Sequence, residues 1–246
     1  MRLHFAGSDG IELHNAVLRT AGARCRLESF YTHSEQESAP SDGFTMLLDS
    51  GGFAARTRGV QIDVAEYAAF IRHHRVLYAF NLDTNDPQET DRNLEYLVGA
   101  CPEATIIPVW HGSDWPGNKA KLGLLVERFG YIGIGGLVGG STAKAKKQAA
   151  LDWVFHTYRA SVRFHGLGVT SMAWLQRYPW FSVDSTSWLA PGRYGSRQGD
   201  PRLARFENAT YPWHQRNLQA VRKLLEVEEQ ITRLWEHRGI TWSDAA

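Results

Sequence analysis

Residues 76–112 read VLYAFNLDTNDPQETDRNLEYLVGACPEATIIPVWHG, and this stretch decides the fold class. A β-rich run that ends at Asp83 is followed by a helix pattern from Pro87 to Gly99, and a second β-rich run then ends at His111. A strand, a helix and a strand in this order are typical of parallel strands joined by a helical crossover. The segment therefore predicts an α/β protein.

The rest of the chain repeats this alternation. Further helix patterns cover Val64 to His74, Lys144 to Tyr158 and Ser171 to Tyr178. Five further β-rich runs are RLHFAG, FTMLLDSGG, YIGIGGL, VRFHGLGV and WFSVDSTSW, which makes seven in all. At 246 residues the candidates are a doubly wound sheet and an eight-stranded barrel, and seven runs favour a single-domain (β/α)8 TIM barrel over residues 1–246.

The eighth strand is not obvious in the sequence. We assign it to the weak segment from Ala204 to Asn208, which precedes a long amphipathic helix pattern from Trp213 to Arg238. No internal repeat and no linker rich in Pro, Gly or Ser divides the chain, so a second domain is not predicted.

Composition restricts the class of function. The chain has 27 basic and 26 acidic residues and a formal net charge of +1, so any contact with nucleic acid must be local. Cys25 and Cys101 are too few for a four-cysteine zinc site, and buried free thiols are expected, with no metal and no cofactor. Because no apolar window is long enough to span a bilayer, we expect a soluble cytosolic protein without membrane contact.

Polar residues and glycines fall where the predicted strands end. In a TIM barrel these ends meet at one rim, which carries the catalytic groups. Asp49 and Asp184 are suited to a displacement at a sugar C1′, in which one carboxylate attacks C1′ and the other handles the proton of the base. An aspartate at a strand end is about as often only a turn or helix-capping residue.

Other residues on the predicted rim are suited to binding a base. Asp83 can accept from the N1 hydrogen and exocyclic amine of a guanine-like base, and His111 can donate to a base carbonyl or take part in proton transfer. Gly135 and Gly136 let backbone amides approach a ligand closely. Trp110, Trp180 and Trp188 could stack on a base, although core packing is the more common role of such residues.

A segment rich in arginine follows the Asp184 strand. Residues 192–205 place arginines among Gly and Pro, as expected of a basic loop that contacts phosphate, and we assign Arg193, Arg197 and Arg202 to nucleic-acid binding.

Three of these segments, in this order, resemble the tRNA-guanine transglycosylase superfamily. They are DSGGF from Asp49, IGGL with Gly135 and Gly136, and an apolar strand that ends at Asp184. The resemblance runs from about Phe44 to Trp188, and Gly168 in RFHGLGV supports the same alignment. It implies a TIM barrel in which Asp184 is the nucleophile and Asp49 the proton-transfer carboxylate. The implied base-binding residues are Asp83, Gly135 and Gly136, and we assign Ser50, Gly51 and His111 to substrate binding with them.

Two departures from the family pattern narrow the expectation. His111 stands where the family usually has Gln, and no cysteine follows Asp184, so we expect the zinc-binding subdomain of the tRNA enzymes to be absent. The compact branch found in phages and genomic islands, which inserts 7-deazaguanine bases such as preQ0 into DNA, resembles this chain most. The implied partners are DNA, single-stranded or with a flipped base, and a free 7-deazaguanine base; the oligomeric state, a homodimer included, stays open.

Three alternatives remain at this point. The chain could exchange a base in tRNA instead of DNA, or it could be a nucleic-acid-binding relative without turnover. It could also be an unrelated barrel hydrolase, in which water resolves the sugar intermediate.

Overall fold

The fold is a parallel β-barrel surrounded by helices. The computed structural model describes residues 1–8, 11–33, 43–138, 142–194 and 213–242. Its strands are β1 (Arg2–Ala6), β2 (Cys25–Ser29), β3 (Thr45–Asp49), β4 (Tyr78–Phe80), β5 (Thr105–Ile107), β6 (Val109–His111), β7 (Tyr131–Gly135), β8 (Arg163–Gly166) and β9 (Ser182–Ser185).

The strands form one parallel sheet in the order β5-β4-β3-β2-β1-β9-β8-β7-β6. Pro108 separates β5 from β6 and has no N–H to donate, so these two short strands are the halves of one interrupted strand. Its carbonyl still accepts from Gly133 N–H at 2.9 Å. The sheet therefore forms a barrel with eight strand positions. Following the strand pairs once around the barrel gives a shear of about eight residues, as in a TIM barrel.

Helices follow most strands and cover the outside of the barrel. They are α1 (Glu12–Ala21), α2 (Phe30–His33), α3 (Gly52–Thr57), α4 (Val64–His73), α5 (Pro87–Ala100), α6 (Lys119–Arg128), α7 (Lys144–Tyr158), α8 (Met172–Arg177), α9 (Ala190–Tyr194) and α10 (Trp213–His237). The helix bounds predicted from the sequence are confirmed to within about two residues.

Local chemistry explains where the predicted helices begin. Asp63 caps α4 by accepting from the backbone N–H groups of Ala65 and Glu66. Asp86 caps α5 by accepting from Gln88 N–H, and Pro87 occupies the first turn, where no N–H is needed.

The core lies in two layers. Inside the barrel, the apolar layer includes Leu27, Leu47, Phe80, Tyr131 and Phe181. The larger layer lies between the strands and the helices and contains the fully buried Trp110, Trp180 and Trp188. These three tryptophans pack in the core, and so do both free cysteines, as the composition predicted.

The assignment of the eighth strand to Ala204–Asn208 is wrong, because β2 occupies that position between β1 and β3. The segment from Ala204 to Asn208 itself lies outside the described residues. The sequence CRLES did not predict a strand, because charged residues occupy alternate positions. In a strand whose two faces are both buried, apolar residues are expected at those positions. Arg26 and Glu28 are nevertheless buried, and Arg26 Nη1 lies 3.0 Å from Glu28 Oε1.

No helix in the described ranges is long and apolar enough to cross a membrane.

Candidate functional site

Asp184 is near the end of β9, and its carboxylate is held from two sides. Gly168 N–H donates to Asp184 Oδ1 at 2.7 Å, and His165 Nε2 lies 3.1 Å from the same oxygen. Gly168 has a φ of +69°, a conformation that favours glycine, in the turn after β8. The Asp184 side chain is 12% exposed, so the carboxylate is nearly buried yet open at the rim.

His165 continues into a buried chain of hydrogen bonds inside the barrel. Its Nδ1 lies 2.7 Å from Ser182 Oγ, which in turn lies 2.6 Å from Tyr131 Oη. The ring of His165 packs against Phe80 and, edge to face, against His4. Burial raises the pKa of the Tyr131 phenol, so this group keeps its proton.

His165 was missed in the sequence, although the segment that contains it was noted. Its signal is the period of two, because His165 on β8 and both Ser182 and Asp184 on β9 point into the barrel. Only the register, in which His165 pairs with Ser182, brings the imidazole beside Asp184.

Asp49 ends β3, as predicted, and begins a tight turn. Its Oδ2 accepts from Gly51 N–H at 3.0 Å. Tyr67 supports this strand end from α4, since its hydroxyl donates to the carbonyls of Leu48 and Phe80. Burial, followed by the charge of Asp49, raises the pKa of Tyr67.

The two residues after Asp49 have clear local roles. Ser50 is buried, and its hydroxyl accepts from Gly52 N–H at 3.4 Å where α3 begins. Gly51 has a φ of +76°, and a Cβ there would lie 2.4 Å from Tyr31 Cβ. Substrate binding by Ser50 and Gly51 stays a prediction.

Replacement of Gly51 by alanine is expected to destabilise the protein by about 2–4 kcal/mol. The positive φ and the overlap with Tyr31 and Ser29 both contribute. Gly59→Ala is the matched control, because Gly59 has a φ of +70° with nothing within 4 Å of the added Cβ. We expect the Gly59 variant to lose only about 1 kcal/mol. Urea denaturation of both variants separates strain from overlap, and equal losses would contradict the overlap.

Asp83 and His111 are brought together on the rim. His111 Nε2 lies 3.0 Å from Asp83 Oδ2, and both side chains are partly exposed. The sequence predicted both residues as separate contacts to a base, whereas in the structure the imidazole also contacts the carboxylate. Asn118 fixes this end of β6, since its Nδ2 donates to the His111 carbonyl at 2.8 Å.

The glycines at the end of β7 leave room beside His111. A Cβ on Gly135 would lie 3.1 Å from His111 Nδ1. Gly136 has a φ of +68°, and its Cβ would lie 2.6 Å from Ser113 Oγ. The positive φ and the overlap make glycine necessary at Gly136, and a Cβ at Gly135 would crowd the His111 ring. Approach of a ligand to these backbone amides stays a prediction.

His4 is the buried neighbour of this site on β1, in register with Asp184. Its Nδ1–H donates to the Arg26 carbonyl at 3.3 Å. Burial, assisted by the proximity of His165, lowers the pKa of His4 from 6.5 to about 3. His4 is therefore neutral at neutral pH and places no positive charge next to His165.

The lowered pKa of His4 predicts loss of stability in acid. The unfolded chain binds a proton at His4 below pH 6.5, while the folded chain does not until about pH 3. The free energy of unfolding that depends on His4 therefore falls as pH drops through this window, by at most about 1.4 kcal/mol per pH unit.

We expect His4→Asn to flatten this dependence, because its amide keeps the donor to Arg26 without titrating. Denaturation midpoints between pH 7 and pH 4 measure the effect, with His156→Gln on the exposed face of α7 as the control. A parallel fall in the wild type and the His4 variant would contradict the assignment.

The predicted basic loop is largely beyond the described residues. Arg193 lies in α9, but its side chain is not described, and Arg197 and Arg202 lie outside the described ranges. Their contact with nucleic acid stays a prediction.

One large cavity lies away from the rim. It has a volume of about 1000 Å³ and is lined by Arg2, Cys25, Thr45 and Tyr78, which begin four of the strands, and by α10. It therefore opens at the amino-terminal end of the barrel. In the part of the chain that the structure describes, no group of three or more His, Cys, Asp or Glu side chains could hold a metal ion.

Comparison with known proteins identifies the fold. No protein-family model and no curated protein matches the chain. Among solved structures, the chain is similar to a protein from Coccidioides immitis assigned as a fructose-1,6-biphosphate aldolase, with a TM-score of 0.59 and 11% identity. The alignment covers 96% of this chain and 92% of that chain. At this identity the similarity shows the TIM-barrel fold alone.

Proposed function

We propose that this protein is a DNA-guanine transglycosylase, which exchanges guanine in DNA for a 7-deazaguanine base such as preQ0. The observation that carries the proposal is the carboxylate of Asp184. It is nearly buried at the carboxyl end of a barrel strand, and both of its described donors contact Oδ1. A carboxylate held in one orientation, with one oxygen open, is suited to attack on a sugar carbon.

The reaction proceeds in two displacements at C1′. An Asp184 oxygen forms a bond to C1′ while the bond from C1′ to the guanine ring nitrogen breaks, and the electron pair leaves with the base. Asp49 enters this step as the carboxylic acid and delivers its proton to that nitrogen, so neutral guanine departs and a sugar–Asp184 ester and an Asp49 carboxylate remain. The incoming base then gives its ring proton to Asp49 and attacks C1′, which releases Asp184.

Recognition of the base is assigned to the other strand ends. Asp83 accepts from the Watson–Crick edge of guanine, and its contact with His111 at 3.0 Å holds the carboxylate in position. We assign the backbone N–H groups at Gly135 and Gly136 as the donors to the base carbonyl. Guanine must leave the base stack to reach these groups, which costs a few kcal/mol that the pocket contacts offset.

The choice of DNA over tRNA rests on the sequence. Residues 185–246 contain no cysteine, whereas the tRNA enzymes that the chain resembles carry their zinc-binding cysteines after the nucleophile. A near-neutral net charge means that the phosphate contacts must be local.

The decisive experiment is mass spectrometry of nucleosides after incubation with DNA or tRNA and a panel of 7-deazaguanine bases. We expect deazaguanine nucleosides in the DNA and none in the tRNA. Labelling of tRNA alone would show that tRNA, and not DNA, is the substrate. Abasic sites in DNA incubated without an added base would indicate a hydrolase. Binding without any product would overturn the enzymatic assignment.

A further inference from the structure

A series of buried hydrogen bonds links Tyr131, Ser182, His165 and Asp184. The donor in each of these hydrogen bonds can be assigned from the groups available. Among the described residues, Ser182 Oγ is the one hydrogen-bond acceptor for the Tyr131 hydroxyl, and burial keeps that phenol protonated. Tyr131 therefore donates to Ser182. If Ser182 donated to Tyr131 instead, the buried O–H of Tyr131 would have no acceptor, which costs free energy.

Ser182 must then use its own proton on His165. A serine oxygen can accept twice, but its own buried O–H also needs an acceptor. Among the described residues, the partners of Ser182 Oγ are the Tyr131 hydroxyl, which is the donor, and His165 Nδ1 at 2.7 Å. Nδ1 is consequently the acceptor, and the ring proton of a neutral His165 is on Nε2. That proton points at Asp184 Oδ1, 3.1 Å away.

Two donors thus converge on one oxygen of Asp184. Gly168 N–H and His165 Nε2–H both reach Oδ1, and no donor in the described ranges contacts Oδ2. The χ2 angle of an aspartate normally takes a broad range of values. Two donors to one oxygen restrict this angle and so fix the plane of the carboxylate. The other oxygen keeps its lone pairs for reaction.

The groups that surround His165 and Asp184 carry no charge at neutral pH. His4 on β1 is neutral at neutral pH, and Phe80 on β4 presents an aromatic ring 5.1 Å from the His165 ring. Tyr131 on β7 is a protonated phenol. The remaining titratable groups assigned to the rim, Asp49, Asp83 and His111, are at other strand ends.

We infer that Tyr131, Ser182 and His165 form a one-way chain of donors that orients Asp184, with His165 as a positioning residue and Asp184 Oδ2 as the attacking atom. The inference rests on the proposed function for its effect on reaction rate. The direction of the chain can be tested without any reaction.

The first test is nitrogen NMR of the protein labelled in histidine. The protein contains ten histidines, and the spectrum of His165→Gln identifies the signals of His165 by their absence. At pH 7.5 we expect the neutral tautomer with its proton on Nε2. In Ser182→Ala, Nδ1 loses its donor, and we expect a mixture of tautomers. A wild-type His165 that carries its proton on Nδ1, or on both nitrogens, would overturn the inference whether or not the protein is active.

The second test is the pH dependence of kcat/KM for base exchange in two variants. His165→Gln keeps an N–H donor near the Nε2 position, whereas His165→Met removes it in a side chain of similar length. For His165→Met we expect the acid limb to move to higher pH by about one unit and kcat at pH 7.5 to fall about tenfold. For His165→Gln, both should stay within about threefold of the wild type.

The outcomes separate the two claims. If the wild type exchanges bases and His165→Met keeps its rate and acid limb, the positioning role is wrong and the proposed function stands. If the wild type exchanges no base, the proposed function is wrong and the tautomer of His165 still decides the direction of the chain. Should His165→Met not fold, Ser182→Ala and the more conservative Tyr131→Phe provide the same pH comparison. An unchanged acid limb in both would overturn the inference.

Discussion

Replacement of Asp184 by asparagine is expected to lower base exchange by at least about 10³-fold and to abolish the covalent adduct with DNA. Asparagine has nearly the same size, and its carbonyl can still accept from Gly168 N–H and His165 Nε2–H. The fold should therefore be retained. An amide cannot form the ester with C1′, so chemistry is lost while structure remains.

The measurement is incorporation of labelled guanine into DNA, together with denaturing electrophoresis to detect the trapped adduct. Asp91→Asn is the matched control, since Asp91 is exposed on α5 and pairs there with Lys121. We expect this control to exchange at the wild-type rate. Wild-type exchange by the Asp184 variant would exclude Asp184 as the nucleophile and remove the main support for the proposed function.

Replacement of Arg26 by methionine is expected to cost about 3–5 kcal/mol of stability. Arg26 and Glu28 are both fully buried on β2, and the guanidinium also lies over the Phe44 ring, 5.2 Å from its centre. Loss of the cation leaves the carboxylate of Glu28 in a medium of low dielectric constant without its partner at 3.0 Å. The large effect comes from removing the cation that pairs with this buried carboxylate.

A double variant tests this explanation. The double variant Arg26→Met/Glu28→Leu removes both charges of this pair, so we expect it to be more stable than Arg26→Met alone. Arg19→Met on α1 breaks an exposed pair with Glu12 and should leave the urea midpoint nearly unchanged. A double variant less stable than Arg26→Met would show that Glu28 has a role of its own, independent of Arg26.

Some elements of this fold follow from local sequence patterns, and others do not. Alternating strand and helix patterns determined the parallel barrel, because each apolar strand needs a covering helix. The helix patterns that begin at Val64 and Pro87 are local as well, and in the structure the side chains of Asp63 and Asp86 cap these two helices. Strand β2 escaped these rules, since a buried ion pair replaces its apolar pattern, and pairing partners across a fold are invisible in one sequence.

The site divides in the same way. The sequence by itself placed Asp49, Asp83, His111 and Asp184 at or just beyond strand ends, because the chemistry of a barrel is located where its parallel strands end. Only the tertiary structure shows that His165 contacts Asp184 and that His111 contacts Asp83. These contacts depend on strand register and barrel closure, which join residues distant in the chain. The bonds that orient Asp184 are therefore a property of the fold, whereas its position at the rim is a property of the sequence.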